Sequence, residues 1–171
     1  MRFTELPVAG AFVIDLDPIE DDRGFFARSY GENEFRERGL ETGIVQCNVS
    51  WNRYRGTLRG LHYQAAPHEE TKLVRCSRGS VWDVIVELST RQWTAIELSA
   101  DNRRAVYIPR GMAHGFITLA DDSELEYMMG AAYVAEASRG VAWDDPAFGI
   151  EWPIEPAVIS ERDRNYPRWT I

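Results

Sequence analysis

Ser80-Val81-Trp82-Asp83-Val84-Ile85-Val86-Glu87-Leu88 is the stretch on which the fold turns. Successive side chains of a β-strand point to opposite faces. Trp82, Val84, Val86 and Leu88 then share one face, which is wholly apolar and predicts packed core. Val81, Asp83, Ile85 and Glu87 share the other, and its two carboxylates suit the wall of a wet cavity.

Runs of the same kind recur on both sides of this stretch, at residues 11–15, 44–50, 57–64, 72–76, 94–98, 104–108, 115–119 and 124–129. Turn chemistry separates them: Asp22-Arg23-Gly24, Arg78-Gly79, Ala100-Asp101-Asn102 and Asp121-Asp122. Short alternating strands with regular turns predict an all-β sandwich or barrel. About nine or ten of them favour an antiparallel jelly roll. One short helix is predicted over residues 32–38, with Ser29 or Gly31 at its start, Gly39 at its end, and Glu34 and Arg38 paired on an exposed face. After Trp152 the chain loses periodicity and carries Pro153, Pro156 and Pro167, which predicts an irregular tail on the barrel surface. There is no repeat and no linker, so residues 1–171 read as a single domain.

The chain has 171 residues and a net charge of −8. That length suits one domain with a real core. The acidic balance argues against general binding of nucleic acid or of an anionic membrane. An anionic ligand would need a local cluster of Arg and Lys. Residues 1–10 lack the basic and apolar regions of a leader, and no apolar run approaches the ~18 residues of a membrane span. A soluble cytoplasmic protein is the expectation. Cys47 and Cys76 lie in apolar runs and read as small buried residues.

Three histidines, His62, His68 and His114, are the candidates for acid–base or metal chemistry. A metal-binding barrel would present two His one residue apart with a carboxylate and a further His. Here Gln64 stands two residues after His62, and no metal is expected. In Thr57-Leu58-Arg59-Gly60-Leu61-His62-Tyr63-Gln64, alternation separates Arg59, Leu61 and Tyr63 from Leu58, Gly60, His62 and Gln64. Gly60 leaves room beside the imidazole for a ligand or another backbone. Lys72 opens the apolar run Lys72-Leu73-Val74-Arg75-Cys76 and reads by itself as a solvated strand end. His114 is expected in a Gly-flanked turn between two strands. Tyr133 follows the last clear strand.

These segments occur in one order with Arg23-Gly24-Phe25-Phe26, Gly111-Met112-Ala113-His114-Gly115-Phe116, Arg139-Gly140-Val141-Ala142-Trp143-Asp144-Asp145-Pro146 and Ile159-Ser160-Glu161-Arg162-Asp163. Together they resemble the dTDP-4-dehydrorhamnose 3,5-epimerase family over nearly the whole chain. The resemblance implies a cupin-type jelly-roll barrel, a homodimer, no cofactor, and a nucleotide-linked 4-keto-6-deoxy sugar as substrate, epimerised at C3, C5 or both. By resemblance His62 is the base, Asp163 its carboxylate partner, Lys72 the cation beside the enolate, and Tyr133 the acid on the far face. Arg59 and His114 fall where the family holds the substrate and its diphosphate, and Arg23, Phe26, Gln46 and Asn48 where it holds nucleotide and sugar. Arg28 departs from the family, which usually has Glu there. The loop between Leu88 and Trp93 is shorter than usual, and Gly130-Ala131-Ala132 replaces more polar residues.

Other readings are an epimerase acting at one carbon, a metal-dependent cupin oxygenase, and a non-catalytic sugar-binding barrel. The missing His-x-His pair weighs against the oxygenase. A matched base, acid, lysine and carboxylate weigh against simple binding.

Overall fold

Fourteen short strands and two α-helices of about one turn, with one 3-10 turn at Ala135–Ala137, account for the regular structure of the computed structural model, which describes residues 1–170. In chain order they are β1 (Arg2–Glu5), β2 (Phe12–Asp15), β3 (Ile19–Asp21), β4 (Gly24–Phe26), α1 (Glu32–Arg36), β5 (Gln46–Asn52), β6 (Thr57–Gln64), β7 (Lys72–Arg78), β8 (Ser80–Glu87), β9 (Trp93–Ser99), β10 (Ala105–Ile108), β11 (Met112–Thr118), β12 (Ser123–Met129), β13 (Ser138–Gly140), β14 (Val158–Ile159) and α2 (Glu161–Arg164). One six-stranded sheet runs β1-β2-β10-β7-β12-β5. The second runs β13-β6-β11-β8-β9, with β14 added in parallel to β6. A separate hairpin joins β3 to β4.

The two sheets face each other across an apolar layer. Val74, Cys76, Val106, Ile108 and Leu125 come from the first sheet; Val81, Ile85, Leu98 and Phe116 come from the second. Each buried Val or Leu of this kind stabilises the fold by about 1.5–3 kcal/mol relative to exposure. The stretch 80–88 is a strand with both faces covered, but in the opposite sense to the sequence reading. Val81, Asp83 and Ile85 face inward. Val84 and Val86 pack on the outer side, under a second cluster that includes Val141 and Phe148, with Trp82, Trp152 and Trp169 half-buried beside it. The C-terminal segment therefore covers an apolar sheet face. A third cluster seals the other sheet, where Phe35 of α1 packs against Ile14, Leu73 and Tyr107.

Several expectations are corrected. A second helix, α2, and a short strand, β14, lie in the tail expected to be irregular, and β13 is a further short strand that the alternation did not show. The first helix stops at Arg36, and Gly39 follows it with φ +72°. Gly31 occupies its N-cap position without a side-chain cap. Arg38 donates to the Glu34 carbonyl rather than its carboxylate, which pairs instead with Arg28. Cys76 is buried, but Cys47 is exposed on the edge strand β5. His114 lies inside β11 rather than in a turn.

The local geometry of β6 departs from a regular strand at one point. His62 stands opposite His114, and Arg59 opposite Phe116, so Gly60 and Leu61 together face Gly115. This is a β-bulge, with one extra residue on one strand. Gly60 has φ +133°, and a Cβ there would lie 2.6 Å from the Gly115 Cα. A Cβ on Gly115 would lie 2.8 Å from both the Arg59 carbonyl oxygen and Leu61 Cδ2. Gly115→Ala should therefore cost about 1–3 kcal/mol, read as a lowered urea midpoint with an unchanged slope. An unchanged midpoint would show that the two strands have slack at this point.

Candidate active site

The bulge removes the alternation that would separate Arg59 from His62, and both side chains line one cavity of about 510 Å³ between the sheets. Gln46, Asn48 and Ser50, every second residue of β5, line its other wall with Lys72 of β7 and Tyr127 of β12. His114 joins His62 from the neighbouring strand. Tyr133 and Arg162 stand at the cavity from the C-terminal third of the chain.

His62 Nε2 lies 2.8 Å from Asp163 Oδ1, across 101 residues of sequence. The contact is made by β14, which pairs with Thr57 and Leu58 at the start of β6 and so delivers α2 beside it. Ser160 caps α2, its hydroxyl accepting from the Asp163 amide at 3.0 Å. Asp163 Oδ2 accepts from the Gly60 amide at 3.1 Å. Burial by itself raises the Asp163 pKa, but the hydrogen bond and charge of His62, with Gly60 and Ser160, outweigh it and hold the carboxyl below the ordinary carboxylate range. An ionised carboxylate only accepts, so the Nε2 of His62 carries the proton and Nδ1 is the basic nitrogen. Tyr166 packs edge-on to the imidazole at 5.7 Å.

Two further pairs follow the same plan. His114 Nε2 lies 2.8 Å from Asp83 Oδ2, and Asp83 is fully buried. Lys72 Nζ lies 3.0 Å from Glu70 Oε1, with side chains only 7% and 6% exposed. Lys72 is thus not a solvated strand end. It shares the inward face of β7 with Val74 and Cys76.

The segment bearing Tyr133 is held by two side-chain amides. The Tyr133 amide donates to Gln46 Oε1 at 3.0 Å, and the Val134 amide to Gln64 Oε1 at 2.6 Å. The Tyr133 ring is 60% exposed, at the mouth of the cavity. Arg162 donates to the Ser138 hydroxyl at 2.8 Å. Burial works against its cation, but the phenols of Tyr166 and Tyr133 beside it leave its pKa raised. Tyr127 is pushed up by burial, and its hydroxyl bonds Ser50 at 3.0 Å. Arg59 donates to Asn52 Oδ1 at 2.7 Å.

Of the residues singled out in the sequence, His62, Asp163, Lys72, Tyr133, Arg59, His114, Gln46 and Asn48 meet around this cavity. Arg23 and Phe26 do not. They sit on the exposed β3–β4 hairpin, where Phe26 is 75% exposed and Arg23 pairs with Asp21. Arg28 likewise turns away, bonding Glu34 at 2.9 Å. Sequence reading missed Glu70, Asp83 as partner of His114, Tyr127 and Arg162. Tyr127 was findable, since Leu125, Tyr127 and Met129 share the inward face of β12. Among the described residues no group of three or more His, Cys, Asp or Glu side chains is placed to hold a metal ion, and no helix is long and apolar enough to cross a membrane.

Comparison with known proteins agrees with this geometry. Residues 5–170 match the sequence model of the dTDP-4-dehydrorhamnose 3,5-epimerase family. The chain is 42% identical to the dTDP-4-dehydrorhamnose 3,5-epimerase of Methanothermobacter thermautotrophicus, over 96% of this chain and 92% of that protein. It superposes on the crystal structure of the same enzyme from Elizabethkingia anophelis with a TM-score of 0.95 and 37% identity, covering 99% and 96% of the two chains. It also superposes, with a TM-score of 0.89 and 31% identity over 96% and 86% of the chains, on ChmJ, a 3'-monoepimerase from Streptomyces bikiniensis. That protein was solved as a His→Asn, Tyr→Phe double mutant in complex with dTDP.

The lowered pKa of Asp163 has a sign that can be checked. A carboxyl depressed in the folded state contributes stability above its unfolded pKa and loses it as pH falls through the folded value. Asp163→Asn should cost about 1–3 kcal/mol at neutral pH. The gap from wild type should close as pH drops below 3.8, the ordinary value for Asp. Urea unfolding at neutral pH and at about pH 3 measures this; a gap independent of pH would count against an ionised Asp163.

Proposed function

The chain belongs to the dTDP-4-dehydrorhamnose 3,5-epimerase family and is an isomerase of deoxysugar nucleotides, and we propose that it inverts C3 and C5 of a dTDP-linked 4-keto-6-deoxy sugar with His62 as base and Tyr133 as acid. The observation that carries this reading is the His62–Asp163 contact, made on the same cavity that Lys72 and Tyr133 line. The C4 ketone acidifies the hydrogens on C3 and C5. His62 Nδ1 removes one of them, and Asp163 steadies the imidazolium that results. The Lys72 ammonium donates to the C4 oxygen as the enolate forms, which is where the negative charge develops. Tyr133 returns a proton to the opposite face, and the C4 ketone re-forms. The relative solved as a His/Tyr double mutant supports this pairing, because its substituted residues are separated by almost the same interval as His62 and Tyr133.

Arg59 and Arg162 give the cavity a cationic side within a chain of net charge −8, and the His114 imidazole stands beside them. Arg matches the paired oxygens of a diphosphate through its planar fork of donors. The likeness to a 3'-monoepimerase sustains a second reading, epimerisation at one carbon. The same base and acid serve both.

The assembly we propose is a cytoplasmic homodimer. The sheet edge at β5 has no neighbouring strand, and its outward side chains are apolar: Val45, Val49 and Trp51 are 60%, 64% and 44% exposed. Ile19, Phe25 and Phe26 are also exposed on the β3–β4 hairpin. An unpaired apolar edge is a liability unless another chain covers it. Pairing two chains there would cover it and bring Arg23 and Phe26 to the partner's cavity. Light scattering should give the dimer mass, and Val49→Arg should shift it toward monomer; a wild type that is monomeric at micromolar concentration would sink the assembly.

Proton exchange in deuterated water with dTDP-4-keto-6-deoxyglucose tests the chemistry. Wild type should take up deuterium at C3 and C5, or at one carbon under the second reading, and should do so after treatment with a chelator. His62→Ala should reduce exchange at every carbon by about 10³-fold. Tyr133→Phe should keep exchange while slowing formation of inverted product by about 10²-fold. A folded His62→Ala protein with near-normal exchange would overturn the assignment of the base.

A further inference from the structure

Residues 130–137 lead from β12 in one sheet to β13 in the other, and Tyr133 sits midway along them at the mouth of the cavity. Backbone bonds tie the two ends. The Gly130 amide donates to the Thr71 carbonyl oxygen at 2.9 Å, and the amides of Ala137 and Ser138 donate to that of Val134 at 3.0 and 3.1 Å. Between these ties, Ala131, Ala132 and Tyr133 make no hydrogen bond to another backbone group among the described residues. An exposed connection without such bonds belongs to the least stable parts of a fold. A group that delivers a proton needs the opposite, a fixed distance to its partner.

The side chain of Gln64 supplies what the backbone lacks. Its Oε1 accepts from the Val134 amide at 2.6 Å, and its Nε2 donates to the Ala132 carbonyl oxygen at 3.2 Å. Ala132 and Val134 flank Tyr133, so this one amide pairs with the chain on both sides of the phenol, as a neighbouring strand would. The other Nε2 proton goes to the His68 carbonyl oxygen at 2.9 Å. A side-chain NH2 has two protons to give, and both are spent. Gln64 therefore lines the cavity with no donor left for a ligand, and it is only 5% exposed.

The position of Gln64 on β6 gives these bonds their meaning. His62 and Gln64 are alternate residues beyond the bulge and share a face. Both are held by the same neighbour, with His62 opposite Gly140 and Gln64 opposite Ser138 on β13. One strand thus carries the base and the group that grips the backbone on either side of the acid. We propose that Gln64 is a positioning residue, which fixes Tyr133 at its working distance from His62 and so governs return of the proton to the far face without touching the sugar. This rests on the reading of Tyr133 as the acid. Misplacing a reacting group by about 1 Å can cost about 10²-fold in rate, so three hydrogen bonds around one residue have a kinetic consequence.

The test uses dTDP-4-keto-6-deoxyglucose in deuterated water and reads two rates, deuterium uptake and formation of inverted product. Gln64→Met keeps the length of the side chain and removes all three hydrogen bonds. It should leave uptake within about twofold of wild type and slow inverted product about 10-fold, mainly through kcat. In a Tyr133→Phe background the same substitution should change neither rate, because Gln64 acts only through the phenol. A merely structural role would lower both rates, and by the same factor in both backgrounds; that result would overturn the proposal. Should Gln64→Met fail to fold, Gln64→Asn takes its place in the same cycle, since it keeps the amide but withdraws it by one methylene. Wild type gives an independent reading: the amides of Tyr133 and Val134 should be protected from hydrogen exchange although neither lies in a strand, and exchange as fast as in a free chain would also overturn it. A Tyr133→Phe protein that forms inverted product at the wild-type rate would instead remove the acid reading on which the proposal rests, and it would do so with Gln64 untouched.

Discussion

The close approach of two glycines underlies the site. Gly60 and Gly115 meet where β6 and β11 carry two residues against one, and neither position has room for a Cβ without a collision with backbone. That approach permits the bulge, and the bulge turns Arg59 and His62 to one side of a strand that would otherwise separate them. It also leaves His62 level with His114 on the neighbouring strand. β6 in turn pairs with β11, β13 and β14, so the elements that supply His62, His114 and Asp163 are all referred to this one strand.

Around the cavity, three groups that carry a transferable proton are each backed by a buried carboxylate. His62 has Asp163, His114 has Asp83, and Lys72 has Glu70. A charge taken out of water is tolerated only when it is paired and hydrogen-bonded. The pairs let a protein of net charge −8 present donors and cations to an anionic ligand without leaving buried charges alone. They also aim those groups, because each carboxylate is itself fixed. Asp163 is held by the Gly60 amide and lies in a helix capped by Ser160; Asp83 lies on a strand paired on both sides.

Stability and chemistry share the C-terminal segment. Val141 and Phe148 cover the apolar outer face of β8, with Trp152 and Trp169 packed beside them. The same segment then runs through β14 into α2 and delivers Asp163 and Arg162. Without that cover, Val84 and Val86 would be left open to water, and His62 would lose its carboxylate partner in the same event.

The sequence by itself determined nine of the fourteen strands, β2 and β5 to β12, because period-2 alternation and turn residues are local properties; the short β1, β3, β4, β13 and β14 carry too few residues to show it. The runs at 57–64 and 80–88 match their strands to within a residue. The order of six motifs identified the family and seven residues that line the cavity: His62, Lys72, Tyr133, Arg59, His114, Gln46 and Asn48. Tertiary structure decided what alternation leaves open. Period 2 says which side chains share a face, not what covers that face, so Asp83 proved to be interior and Val84 and Val86 to lie under the tail. The bulge needed two glycines more than fifty residues apart, and no local pattern announces it. Glu70 could not be distinguished in sequence from its half-buried neighbour Glu69. Only the fold of the 65–71 loop against β7 set its carboxylate beside Lys72, since an ion pair is a matter of distance in space and burial, neither of which the local sequence encodes.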